Sequence, residues 1–223
     1  MTGGDGGSTP AEPPAPAREP VLAADSAPAG LKPLSDAERD QLKGPCAKLV
    51  QWAQKRAGKA PTRAAATQKL LEALSGAPKI EGVDVDSCRG LLTRDLKVYV
   101  ARTKEIEAVT TLKMLMLAMA SAVDQRGKLC PSAPPVPSQL AAVKTGPYQP
   151  QDSDWQAEGW RCLRHQGRQP QRFQYEVKSD PAADTFEIVA RGYPVAGSEP
   201  TELFLTHKVV NGKVELHSNV YRR

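Results

Sequence analysis

Residues 104–130, KEIEAVTTLKMLMLAMASAVDQRGKLC, constrain the fold more than any other stretch. They open charged, become almost wholly apolar over residues 112–123, and stop at Gly127 ahead of a cysteine and a proline. Leu92, Leu96, Tyr99, Ile106, Val109, Leu112, Met116, Met119 and Val123 recur at helical spacing. The spacing predicts a long helix over residues 86–126, capped by Asp86 or Ser87 and about 60 Å long at 1.5 Å per residue. Up to Glu107 the pattern is amphipathic. Beyond it, Leu112, Met114, Leu115, Met116, Leu117 and Met119 cover most of the circumference, which predicts burial on several sides. The methionines read as core packing ahead of an adaptable groove. The apolar run itself falls short of the about 20 residues that a bilayer span needs.

A sheet to cover that helix follows. Phe173, Tyr175 and Val177 alternate with polar neighbours, as do Phe186, Ile188 and Ala190. Leu203 and Leu205 open a third run over residues 202–210, and Val214 and Leu216 mark a fourth. Asn211-Gly212 is a hairpin signal, and Asp180-Pro181 and residues 192–200 supply the other turns. Residues 127–155 form a Pro-rich connector, long for a loop in a compact domain. Trp155 and Trp160 are its apolar anchors. The class is α+β: a long helix packed by a roughly four-stranded antiparallel sheet within residues 156–223, the unit as a whole spanning 86–223.

Two segments precede it. Residues 1–34 are rich in Gly, then in Pro and Ala, and bury too little apolar surface to offset ordering, so they read as a disordered tether. Their composition also fits a lipoprotein stalk, with a lipidated cysteine natively standing before Thr2 where the chain has Met1. Residues 35–85 read as a helical hairpin. Ser35 and Glu38 form a capping-box pattern. The first helix carries Leu42, Leu49, Val50 and Trp52, is interrupted at Gly44-Pro45, and ends near Gly58. The second runs from Thr62 to Ser75 with Leu70, Leu71 and Leu74 inward, and Gly76 stops it.

Four cysteines, Cys46, Cys88, Cys130 and Cys162, allow two disulfides. A natural pairing is Cys46–Cys88 with Cys130–Cys162, but all three pairings remain open. Disulfides imply an oxidising compartment, hence the cell envelope, periplasmic or extracellular. No signal peptide is visible at the start, so either the export segment is missing here or the protein is cytoplasmic. Cys162 and His165 form only one close-spaced pair, where zinc motifs usually present two. No metal, cofactor or calcium site is expected.

The net charge of +5 is concentrated upstream. Lys43, Lys48, Lys55, Arg56, Lys59, Arg63 and Lys69 follow with no acid between Asp40 and Glu72. The run reads as a solvated helix face or as an interaction patch for an anionic partner. No nucleic-acid motif accompanies it, so peripheral or lipid-anchored membrane association is the expectation. His165, His207 and His217 sit in no nucleophile motif, and no enzyme is expected.

The order of elements resembles type IV pilins and pseudopilins. In VYVARTKEIEAVTTLKMLMLAMASA, Ala101, Arg102, Glu107, Ala108, Leu112 and Lys113 stand in the places of that family's "ARxxEA…NLK" pattern. Trp160, Leu163, Pro170, Phe173, Tyr175 and Val177 resemble its "W…LGF…P…YxYxV" stretch, and Ala190 and Gly192 its "A-x-G" turn entry. The resemblance covers about residues 99–223. It departs upstream, where Arg94, Asp95, Lys97, Arg102 and Lys104 occupy the place of the apolar anchor helix. CRGLLTRD only echoes the leader junction. Tyr193, Pro194 and Val195 replace the acidic turn. The resemblance implies a non-catalytic accessory or adaptor of a pilus or secretion system that neither inserts in a membrane nor packs as an ordinary filament subunit. Its partners would be other pilin-like or secretion-system proteins; the oligomeric state is not legible. A different reading is a ligand- or peptide-binding module with a pocket of Tyr148, Trp155 and Trp160.

Overall fold

A computed structural model of the chain describes Pro28 and residues 31–60, 63–195, 197–217 and 219–223. Residues 1–27, 29 and 30 of the tether and the Thr62 cap lie outside these residues, while Leu34, at the tether's end, is buried. Helix α1 (Asp36–Lys43) starts on the expected capping box. The Ser35 hydroxyl accepts the Glu38 N–H at 3.3 Å, and the Glu38 carboxylate accepts the Ser35 N–H at 2.8 Å. The Gly44-Pro45 interruption separates it from α2 (Ala47–Ala57), which ends at Gly58 with φ of 63°. Helix α3 (Arg63–Ser75) folds back against α2.

Helix α4 (Val85–Arg126) is the spine. Its cap is Asp84, whose carboxylate accepts the Ser87 N–H at 3.2 Å; neither Asp86 nor Ser87 caps it. Val85 packs against the small upstream core, which draws it into the first turn. Gly127, left-handed at φ of 69°, ends the helix by donating its N–H to the Val123 carbonyl.

Among the described residues, six strands form one antiparallel sheet. Strands β1 (Ala133–Val136), β2 (Phe173–Asp180), β3 (Thr185–Gly192) and β4 (Thr201–Val210) lie in that order. The outer edge of β4 is shared by β5 (Lys213–Val214) and β6 (Tyr221–Arg222). The β4–β5 turn is Asn211-Gly212, with φ of 52° and 74°, the two positive values that a type I′ turn requires. Strands β1 and β6 are additions to the expected four. Pro134 and Pro135 of β1 lack amide hydrogens, and an edge strand tolerates that. Helix α5 (Glu158–Leu163) closes the connector.

Two cores share α4. The larger is formed by the inward alternating residues of β2, β3 and β4 with Ala108, Leu112, Leu115, Met119 and Ala122 of the helix. Trp155 and Trp160 complete it, edge to face at 5.2 Å. The smaller holds Cys46, Leu49, Ala53, Leu74, Cys88 and Leu92. Each core has its own disulfide, Cys46–Cys88 and Cys130–Cys162.

Candidate functional site

Helix α4 is covered by the sheet on one side only. Met114 and Leu117, predicted to be buried, are 52% and 55% exposed. Tyr99 and Ile106 are exposed at 40% and 53%. The cause is the shape of the sheet: it has one apolar face, and it meets the helix through Leu112, Leu115 and Met119, which point the other way. Tyr99, Thr103, Ile106, Thr110, Met114, Leu117 and Ser121 follow at steps of three and four, which aligns them in one stripe on the open side. At 1.5 Å per residue the stripe is roughly 33 Å long. Two of its threonines turn their hydroxyls back onto the helix. Thr103 donates to the Tyr99 carbonyl at 2.9 Å and Thr110 to that of Ile106 at 2.8 Å. Their spent hydroxyls leave the stripe less polar than its sequence reads. By length and composition α4 could cross a membrane; its most apolar window has a mean hydropathy of 1.5. Such a window is also what the core helix of a folded domain shows, and 44% of it is buried inside the fold.

Beside this stripe, where the two cores meet, lie two adjoining hollows. One, of about 200 Å³, is lined by Lys104, Val143, Lys144, Thr145, Gly146, Pro147, Arg172 and Tyr193. The other, of about 310 Å³, is lined by Gln68, Tyr99, Val100, Thr103, Lys104, Glu107 and Arg172. Lys104 and Arg172 belong to both. Arg172 donates one nitrogen to Glu107 at 2.8 Å. Lys104 donates to the Pro194 carbonyl at 3.1 Å. Its pKa is lowered, first by burial of the ammonium and then by the nearby Arg172 charge, with Glu107 acting the other way. Lys144 lies 5.8 Å from the centre of the Tyr193 ring.

A third hollow, of about 300 Å³, sits at the far end of α4 and carries Arg126, Arg161 and Arg164. Arg126 donates to the Cys162 carbonyl at 3.2 Å. These cations stand at the C-terminal ends of α4 and α5, where the helix dipoles favour positive charge.

No family model, curated protein or solved structure matches the chain.

The basic residues singled out upstream are dispersed along α1, α2 and the turn after it. Lys43 pairs with Asp40 at 3.7 Å, and Lys48 reaches the Glu81 carbonyl at 3.4 Å. Lys55, Arg56 and Lys59 are exposed. The Lys59 carbonyl accepts from Lys69 at 3.1 Å. Arg63 opens α3, and its side chain lies outside the described residues. Trp155 and Trp160, expected in a pocket, are buried in the large core, their indole N–H groups donating to the Gly167 and Pro134 carbonyls. Their bulk fills the space between connector and helix that a cavity would need. Tyr148 donates to Asp154 at 2.8 Å.

Cys162 is committed to its disulfide. His165 packs on both tryptophans at 5.0 and 5.8 Å. His207 bonds the Glu215 carbonyl and stacks on His217 at 6.0 Å. The Lys104–Arg172 hollows were missed in sequence because their residues come from five separated segments. The only local signal was the dense run of charge along residues 102–107, Arg-Thr-Lys-Glu-Ile-Glu.

Proposed function

We propose that the chain is a pilin-like protein of the cell envelope that works without catalysis, as an accessory or adaptor component of a type IV pilus or a type II secretion-like system. The observation that carries the reading is the unpartnered apolar stripe on the spine helix. A helix of which one side anchors a sheet and the other presents Tyr99, Ile106, Met114 and Leu117 to solvent is built to meet another surface. The α+β architecture is compatible with the pilin-like resemblance of residues 99–223. Two disulfides fit an oxidising compartment outside the cytoplasm. Upstream, the small disulfide-bonded helical core takes the place of a membrane anchor, which favours an adaptor over an ordinary filament subunit.

Site-specific photo-crosslinking in the native cells tests this. A photoreactive residue at Ile106 or Leu117 is expected to capture pilin-like or secretion-system subunits, and one at the equally exposed Leu216, beyond β5, to capture none. Adducts that are absent from the helix positions, or that join the protein only to unrelated partners, would sink the reading. A second reading, a periplasmic binding module or lipoprotein reusing the fold, is favoured by the two hollows between the cores.

A further inference from the structure

We infer that the paired hollows at the waist of α4 bind a small amphiphilic anion, with the anionic head held by Lys104, Lys144 and Arg172 and a short apolar stem lying against Tyr99 and Val100. The inference does not rest on docking through the helix stripe, although Tyr99 and Thr103 belong to both.

The first argument is charge. The smaller hollow is ringed by three cations, and among the described residues no carboxylate lines it. Glu107, on the other hollow, offsets one of them through Arg172, which leaves a formal surplus of two. Like charges gathered around a partly desolvated space repel one another, and an anion placed between them relieves that repulsion.

The second argument is donor supply. An ammonium carries three donors and a guanidinium five. Lys104 directs one donor to Pro194 and Arg172 one nitrogen to Glu107. Those bonds fix both groups in place while leaving further donors for a ligand. Lys144 has no ion pair among the described residues.

The third argument is shape and polarity. The larger hollow has a mainly apolar lining from Tyr99, Val100 and the Thr103 methyl, whose hydroxyl is already spent. Together the volumes fall in the range of small-molecule sites, roughly 300–1,000 Å³, which favour junctions between packed units and apolar walls with a few polar groups. A bare inorganic anion would leave the apolar half unused, and a neutral amphiphile would leave the cations unmet.

The test titrates the oxidised full-length protein with octanoate, octyl phosphate, octanol and inorganic phosphate, followed by amide chemical shifts. Octanoate or octyl phosphate is expected to give saturable shifts confined to residues 99–107, 143–147, 172 and 193. The tighter of the two identifies the head as carboxylate or phosphate. Octanol and inorganic phosphate should each bind about tenfold more weakly or worse. Lys144→Glu, on an exposed turn, should weaken the anionic amphiphile by a similar factor while the remaining resonances stay in place. The inference is overturned if neither anion saturates, if octanol or inorganic phosphate binds as tightly, if Lys144→Glu leaves affinity unchanged, or if the shifts centre on Arg126, Arg161 and Arg164. Crosslinking from Ile106 and Leu117 is read independently of all these outcomes.

Discussion

His165 and His207 are held toward the neutral form, and burial is the first cause for both. For His207 the Glu215 carbonyl opposes the shift and the His217 charge adds to it. Their folded pKa values lie below the ordinary 6.5, so the unfolded chain takes up protons that the native chain refuses. Their contribution to stability is complete above 6.5 and is lost as pH falls through that value toward the folded pKa values. Carboxylates enter later. Glu38, held down to about 2 by the Ser35 N–H first and then by Arg94, and Glu202, lowered by Arg223 and Arg191 against its own burial, matter only below the ordinary 4.5. Between 6.5 and 4.5 the histidines therefore dominate these shifts. The melting temperature should drop between pH 7.5 and 5. His165→Phe, which keeps a ring beside the tryptophans, should make that drop smaller. An unchanged drop in the variant would assign the pH dependence elsewhere. At this scale the sequence showed which histidines lack a nucleophile partner, but not that His207 is buried and His165 half-buried. Burial depends on the position of Trp155 and Trp160 and on the β4–β5 register, which no local pattern encodes.

The elements divide into those with strong local chemistry and those made by their neighbours. The capping box at Ser35, the stop at Gly127 and the Asn211-Gly212 turn were all readable, because each is a short-range hydrogen-bond or dihedral requirement. Strand β1 was not: Ala133-Pro134-Pro135-Val136 has poor strand chemistry and is held by its place beside β2. The exposed side of α4 was misread because Met114 and Leu117 are as apolar as the buried Leu115 and Met116; only the one-sidedness of the sheet separates them. The short helices have the weakest support. The core they share with α4 has few fully buried side chains, and the Cys46–Cys88 bond, closing a separation of 42 residues, fastens it to the spine. In the chain-entropy picture a loop of that size is worth about 4 kcal/mol. Replacing both cysteines with serine should therefore release α1, α2 and α3 while β2, β3 and β4 stay folded. Native-state hydrogen exchange would show it: amides of residues 36–57 should lose protection by two or more orders of magnitude, about 3 kcal/mol or more. Equal loss in helices and sheet would mean that the two cores unfold as one.

At the scale of the whole molecule, the question is how one helix serves both cores without a break between them. The waist of α4 answers it, and its strongest tie comes from the far end of the chain. Glu105 is the one buried carboxylate among the described residues, 3% exposed. Arg222 of β6 donates to both of its oxygens, at 2.9 and 2.8 Å. The same strand pairs with β4, so a single arginine couples the sheet edge to the middle of the spine. The overall order of helix, connector and sheet was readable from periodicity. This tie was not, because its partners stand 117 residues apart and Glu105 reads as one more surface charge in KEIE. Removing the arginine alone takes two charged hydrogen bonds from a buried carboxylate, at a cost of about 3 kcal/mol, since such losses run from roughly 3 to 5. Removing both charges should cost less than removing Arg222 alone, because no buried negative charge is then left without its arginine. Chemical denaturation of Arg222→Ala and of Arg222→Ala with Glu105→Gln measures the difference. If the double variant is the less stable of the two, Glu105 contributes through contacts other than Arg222, and the coupling of sheet edge to spine rests on β6 pairing alone.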